Sequence, residues 1–194
     1  MSGKYKAVAS GAITNGKPVI VNSTGTVSVV AETSVTQAVG TSVVYDTAGL
    51  EIASQQEVAF DTSNNKFLIT YTDDDNSDYG TAIVATVDPS DNSVSYGTGV
   101  VFNSASTRDI SVTFDSSNNK MVVFYRDGGD SNKGKAKVGT ISGTSVSFGS
   151  VATFNNGTCE NFGSCFDSSN NKVIVTYRDE GNSDYGTAIV GTVS

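Results

Sequence analysis

Apolar and polar positions alternate in short runs along most of this chain, and no run sustains the 3.6-residue period of an amphipathic helix. Ile110, Val112 and Phe114 take every second position before the polar stretch Asp115-Ser116-Ser117-Asn118-Asn119. That alternation predicts a half-buried strand. The polar stretch predicts a turn, because Asp, Ser and Asn bond their own backbone and Asn tolerates the left-handed region. Met121–Tyr125 is apolar at every position, as expected of a central strand covered on both faces. Arg126–Asn132 reads as a polar loop and Lys135–Ile141 as the next strand. Ser142-Gly143-Thr144 reads as a tight turn into a further strand at Ser145–Phe148. Val94–Phe102 is apolar but interrupted by Gly97 and Gly99, which predicts two short strands or one bent strand.

The same course is written three times. Val58-Ala59-Phe60-Asp61-Thr62-Ser63-Asn64-Asn65-Lys66 is followed by an apolar strand ending at Tyr71. Val112–Lys120 leads likewise to Tyr125, and Ser164–Lys172 to Tyr177. Asp73, Asp127 and Asp179 come next, then Gly80, Gly134 and Gly186, then the valine-rich strands Ala82–Val87, Ala136–Ile141 and Ala188–Val193. A period near 50 residues is that of a four-stranded propeller blade. The expected fold is all-β: three antiparallel four-stranded repeats of about 52 residues, preceded by a small N-terminal β arm. In that arm Lys6–Ala9, Pro18–Val21 and Thr26–Val30 read as short strands. The expected divisions are an arm or cap over 1–33 and a β domain over 34–194, in units 34–92, 93–144 and 145–194. Three blades cannot close a propeller, which typically takes about four to eight. An open array leaves sheet faces and edges uncovered. Self-association, capping by the arm, or continuation in a longer array would each answer that. Gly25-Thr26-Val27-Ser28 matches Gly191-Thr192-Val193-Ser194, which suits the first and third.

The run at 166–194 is Phe-Asp-Ser-Ser-Asn-Asn-Lys, an apolar strand, Tyr-Arg-Asp, then Asn-Ser-Asp-Tyr-Gly-Thr-Ala-Ile-Val-Gly-Thr-Val-Ser. It resembles the tandem repeats, about 50 residues long, of large proteins encoded by marine bacteriophages. Ser10–Ile13, Gly16–Val21 and Gly25–Val27 resemble the small β region of phage decoration or fibre proteins. The resemblance implies propeller-like β units in a virion fibre or surface appendage, with no catalytic residues to carry over. It implies a chain made in the host cytoplasm and built into the virion, with other virion proteins as partners.

Composition narrows the classes further. The 194 residues carry a net charge of −8, the wrong sign for nucleic acid, which needs a basic patch that releases counterions. Docking on an anionic membrane is disfavoured on the same ground. No apolar run approaches the roughly 20 residues of a spanning helix, and the opening residues read as no secretory signal. Without a signal, the sequons at Asn22-Ser23-Thr24 and Asn156-Gly157-Thr158 carry little meaning. Cys159 and Cys165 are expected in one loop, reduced or locally bridged. With no His in the chain, a Ser-His or Cys-His pair is ruled out, and a zinc site lacks ligands. The recurring Asp61, Asp115 and Asp167 are turn formers first. A glycosidase needs one distinct acid and one distinct base, so the expectation is that this is not an enzyme.

Two candidate sites remain. Asp73, Asp75, Asn76 and Asp78 place carboxylate and amide oxygens on one loop, a composition suited to calcium, although not in the EF-hand pattern. The alternative is a solvated hairpin whose carboxylates bond backbone amides. Tyr79 and Tyr185, each before the recurring glycine, and Arg126 and Arg178, each after a strand-ending tyrosine, compose a candidate glycan surface, since aromatic faces stack on sugars and Arg donates paired bonds. The strand-ending Tyr71, Tyr125 and Tyr177 could add to that surface; the alternative for these three is that each packs against the next blade while the arginines bond the neighbouring Asp. The expected function is a structural virion protein assembling through its repeat faces, with an oligomeric propeller lectin for cell-surface glycans as the other reading.

Overall fold

The computed structural model describes residues 8–13, 19–29, 39–47 and 56–193. The chain divides into two compact units, Met1–Val39 and Gly40–Ser194. Among the described residues there is no α-helix; they form β-sheet, antiparallel but for one short pairing, with three short 3₁₀ turns.

In the first unit β1 (Val8–Ala9), β2 (Val19–Val21) and β3 (Thr26–Val29) form a sheet in the order β1-β3-β2. β1 runs parallel to β3 and β2 antiparallel to it. Gly25, at φ +78°, turns the chain between β2 and β3, a conformation that costs glycine nothing. The three strands stand where the sequence predicts them. Lys6, Ala7, Pro18 and Val30 of those predictions lie outside the described residues.

The second unit holds β4 (Glu57–Asp61), β5 (Lys66–Asp73), β6 (Tyr79–Asp88), β7 (Ser93–Tyr96) and β8 (Val100–Asp115). It continues with β9 (Lys120–Asp127), β10 (Lys133–Ser142), β11 (Ser145–Asp167), β12 (Lys172–Asp179) and β13 (Tyr185–Gly191). They form one antiparallel path, β4-β5-β6-β8-β9-β10-β11-β12-β13, with β7 paired to the far part of β6. Two long strands change neighbours part-way. β8 pairs with β6 up to Ser106 and with β9 from Thr107; β11 pairs with β10 up to Thr158 and with β12 from Cys159. The path therefore folds into a first, a middle and a last layer. The break at Gly97–Gly99 gives two short strands, β7 and the start of β8, in place of one.

The hydrophobic pattern explains the stacking. On β9, Met121, Val123 and Tyr125 pack with Leu68, Ala82 and Val84 of the first layer. Val122 and Phe124, on the opposite face, pack with Val173, Val175 and Tyr177 of the last. β9 is thus covered on both sides, as its unbroken apolar run requires. The strand through Ile110 differs from expectation. It is not half-buried, because Ser111 and Thr113 are buried as well. The last layer covers that face, and the hydroxyls of Ser111 and Ser164 bond across it at 2.8 Å. The expected loop at Arg126–Asn132 is also shorter, since β9 runs on to Asp127. The two cysteines lie in strand β11 and not in a loop: Cys159 is buried and Cys165 exposed, and both are free thiols. Six residues of extended strand hold them on the order of 20 Å apart, too far to bridge.

The recurring turn has one construction. Asp61 accepts from the backbone N–H of Ser63 and Asn64 at 2.8 and 3.1 Å. Asp115 does so from Ser117 and Asn118 at 2.9 and 3.1 Å, and Asp167 from Ser169 and Asn170 at 2.9 and 3.2 Å. The following Asn65, Asn119 and Asn171 are left-handed, with φ near +53° in each, which Asn tolerates best after Gly. Lys66, Lys120 and Lys172 then reach across to the hydroxyls of Thr86, Thr140 and Thr192. The motif is accounted for as structure.

Candidate functional site

The candidate residues stand at the hairpin turns that close β5–β6, β9–β10 and β12–β13. Each turn is a 3₁₀ segment, Asp74–Asn76, Gly128–Asp130 or Glu180–Asn182. Each is followed by two left-handed residues.

In the first turn Asp73 ends β5 half-buried and accepts from the hydroxyl of Thr81 at 3.4 Å. Burial, then the charges of Asp46 and Asp75, push its carboxyl above the usual carboxylate range. Asp75 and Asn76 are exposed, and Asp78 pairs with Arg108 at 3.7 Å. In the second turn the carboxylates of Asp127 and Asp130 are both held by Lys135, at 2.8 and 2.7 Å. Among the described residues no group of three or more His, Cys, Asp or Glu side chains stands close enough together to hold a metal ion. Two of the four predicted ligands, Asp73 and Asp78, are thus engaged with the protein itself.

The two arginines are brought together, on one carboxylate. Arg126 donates to Glu160 Oε1 at 2.9 Å and Arg178 to Glu160 Oε2 at 3.0 Å. Arg126 also meets Asp109 at 2.8 Å. It lies beneath the last layer, whose β11 supplies Glu160. Arg178 belongs to the last layer itself and is more open, with Glu180 and Asp184 at 2.9 and 3.0 Å. Tyr79 opens β6 half-buried, opposite Asp73. Tyr185 opens β13 opposite Asp179 and is 63% exposed. The two tyrosines sit in different layers and share no site. A shallow depression beside Arg178 is lined by Asp184, Gly186, Thr187 and Ala188.

The last layer has further open features. β13 pairs with β12 alone among the described residues. Beside its inner face an apolar cleft of about 170 Å³ runs between the middle and last layers, lined by Phe124, Val138, Phe154, Val175 and Ile189 among others. Tyr45 is a residue that the repeat reading passed over. Its ring lies on the first layer, 5.4 Å from Tyr71 at 64° and 5.8 Å from Tyr96. The signal was present in the run Val43-Val44-Tyr45, which echoes Val100-Val101-Phe102.

The buried thiol is no nucleophile. Burial first, then the Asp179 carboxylate, push Cys159 up to about 12, and the thiolate is the reactive form. Among the described residues no helix is long and apolar enough to cross a membrane. No protein-family model matches the chain, and no curated protein or solved structure is similar enough to count as a match.

Proposed function

We propose that this chain is a non-enzymatic structural protein of a phage virion, a fibre or capsid-surface decoration whose three layers act as propeller-like blades and assemble through their sheet faces. The phage assignment rests on the repeat resemblance. The assembly reading rests on the state of the outer layers. Val58 and Phe60 of the first layer are 58% and 41% exposed, whereas Val112, in the position of Val58 in the middle layer, is 7% exposed. Val190 of the last layer is 60% exposed, while its counterpart Val138 packs into the core. Apolar side chains left open at positions that are covered one layer further in are what a stacking surface presents. Light scattering on the purified chain, with electron microscopy of the same sample, tests this. A discrete ring or a polymer is the expected outcome, and a compact monomer at every concentration would refute it.

The glycan-binding reading draws on one observation, the exposed Tyr185 next to the depression at Arg178 and Thr187. A glycan array carrying the labelled chain tests it, and loss of any signal on Tyr185→Ala is the result it requires.

A further inference from the structure

Matching positions in the three layers differ in one respect. Gly80 and Gly134 each lie beneath an aromatic ring from the fourth strand of their own layer. A Cβ on Gly80 would stand 2.6 Å from the ring of Phe102, and one on Gly134 would stand 2.6 Å from the ring of Phe154. Each ring then meets a tyrosine of the next layer: Phe102 meets Tyr125 at 5.2 Å, and Phe154 meets Tyr177 at 5.4 Å. Gly186 takes the same place in the last layer, and none of the described residues comes within 4 Å of its Cβ position. The glycine is present and its ring is not.

The first layer shows the converse. Tyr71, the counterpart of Tyr125 and Tyr177, is covered by the ring of Tyr45 in nearly the same edge-on geometry, 64° against 64° and 59°. Tyr45 lies in Val43–Tyr45, a segment that pairs with no strand among the described residues. It is tethered to the first layer by a bond from the Tyr96 hydroxyl to the Val43 carbonyl. Here the ring is present, and among the described residues no sheet carries it.

We propose that Val43–Tyr45 of one copy is the fourth strand of the last layer of a second copy, pairing antiparallel with its β13 and laying the Tyr45 ring over its Gly186. This rests on the self-assembly reading above and specifies its joint. The internal pairings set the register. Thr81 faces Val101 and Ala82 faces Val100 in β6–β8; Lys135 faces Thr153 and Ala136 faces Ala152 in β10–β11. The same steps put Thr187 opposite Val44 and Ala188 opposite Val43. An unpaired edge is a template for strand addition, and the glycine admits the ring where a side chain would exclude it. The contact is head-to-tail, so it closes a ring if the rotation allows and otherwise extends a filament. It also brings chain to the apolar cleft beside β13, where the matching strand of the middle layer sends Val146 and Phe148 into the core.

The test compares the full chain with Gly186→Val and Tyr45→Ala by sedimentation and light scattering. Gly186→Val is the cleaner variant, because no atom of the described residues lies near its Cβ position. It is expected to leave thermal unfolding of the dilute chain unchanged and to weaken association by at least about tenfold. A mixture of the two variants restores one joint and no more, since Tyr45 of the valine variant can meet Gly186 of the alanine variant. The expected species is a heterodimer that does not grow. Val43→Cys mixed with Ala188→Cys, both in a Cys165→Ser background, is expected to give an inter-chain disulfide that peptide mapping locates. Undiminished association of Gly186→Val would overturn the joint while leaving self-assembly standing. A wild-type chain that stays monomeric would overturn both.

Discussion

Phe154 lies over Gly134 so closely that a single added methyl would meet its ring at 2.6 Å and the sulfur of Cys159 at 2.8 Å. Neither neighbour can give way, because Phe154 is wedged among Phe124, Phe162 and Tyr177. Gly134→Ala is therefore expected to destabilise the protein by about 1–3 kcal/mol, the usual cost of overpacking a core. The matched control is Gly186→Ala, where no described residue is within 4 Å. Thermal unfolding of the dilute chain should show a fall of several degrees for the first and no fall for the second. Equal effects would mean that the ring does not sit where described.

The turn aspartates make a second prediction, with a pH dependence. Asp61 is buried in the fold, and burial alone would favour its neutral form. The bonds from Asn64 and Ser63 outweigh that and hold its carboxyl below the ordinary value of 3.8. The ionised form is thus bound more firmly in the folded than in the unfolded chain. Its contribution is fully present above the unfolded value and is lost as pH falls through the lower folded one. Asp61→Ala, which strands two backbone donors, should cost about 1–3 kcal/mol near neutral pH. Asp61→Asn should flatten the fall in stability on acidification. Denaturant titrations from about pH 6 down to about pH 2 measure both effects.

Much of this fold could be read from local pattern. The Asp-Ser-Ser-Asn-Asn-Lys turn is decided by side chains bonding their own backbone, and the uniform apolarity of Met121–Tyr125 announces a strand covered twice. What stayed hidden depends on neighbours distant in sequence. Ile110–Phe114 alternates like a half-exposed strand, yet Ser111 is buried because another serine, Ser164, satisfies its hydroxyl from the last layer. Arg126 and Arg178 occupy the same place in the repeat and read alike. Only the stacking order covers one with β11 and leaves the other open. The segment of Tyr45 was legible in principle, since Gly40-Thr41-Ser42-Val43-Val44-Tyr45 parallels Gly97-Thr98-Gly99-Val100-Val101-Phe102, but it stands apart from the turn motif that marks each repeat, and the ring geometry is what gives it a role.

That difference between the arginines is measurable. Arg126 is 16% exposed and bridges Asp109, itself 15% exposed, to Glu160. Removing it leaves the half-buried Asp109 without its ion partner and Glu160 with Arg178 alone, so Arg126→Ala should cost about 1.5–3 kcal/mol. Arg178 makes three ion pairs to the two of Arg126, but at 39% exposure, where water and salt screen them. Arg178→Ala should cost about 0–1 kcal/mol, falling further at high salt. Because both donate to Glu160, their effects should not add. Denaturant unfolding of the two single variants and the double variant checks the coupling.

The two thiols of β11 report on the joint between layers. Cys165 lies on the exposed face, whereas Cys159 is enclosed by the middle and last layers and its thiol is pushed up to about 12. Iodoacetamide attacks the thiolate, so at about pH 8 it should modify Cys165 rapidly and Cys159 only when the last layer lifts away. Mass spectrometry of timed samples separates the two sites. The slow rate at Cys159 then measures the opening of that layer without unfolding the rest. If a second copy supplies the missing strand beside β13, the layer gains a hydrogen-bonded neighbour, and the modification of Cys159 should slow as protein concentration rises. Gly186→Val should abolish that concentration dependence while leaving the rate at Cys165 alone. A Cys159 rate equal to that of Cys165 in the native chain would show that the core between the middle and last layers is not closed.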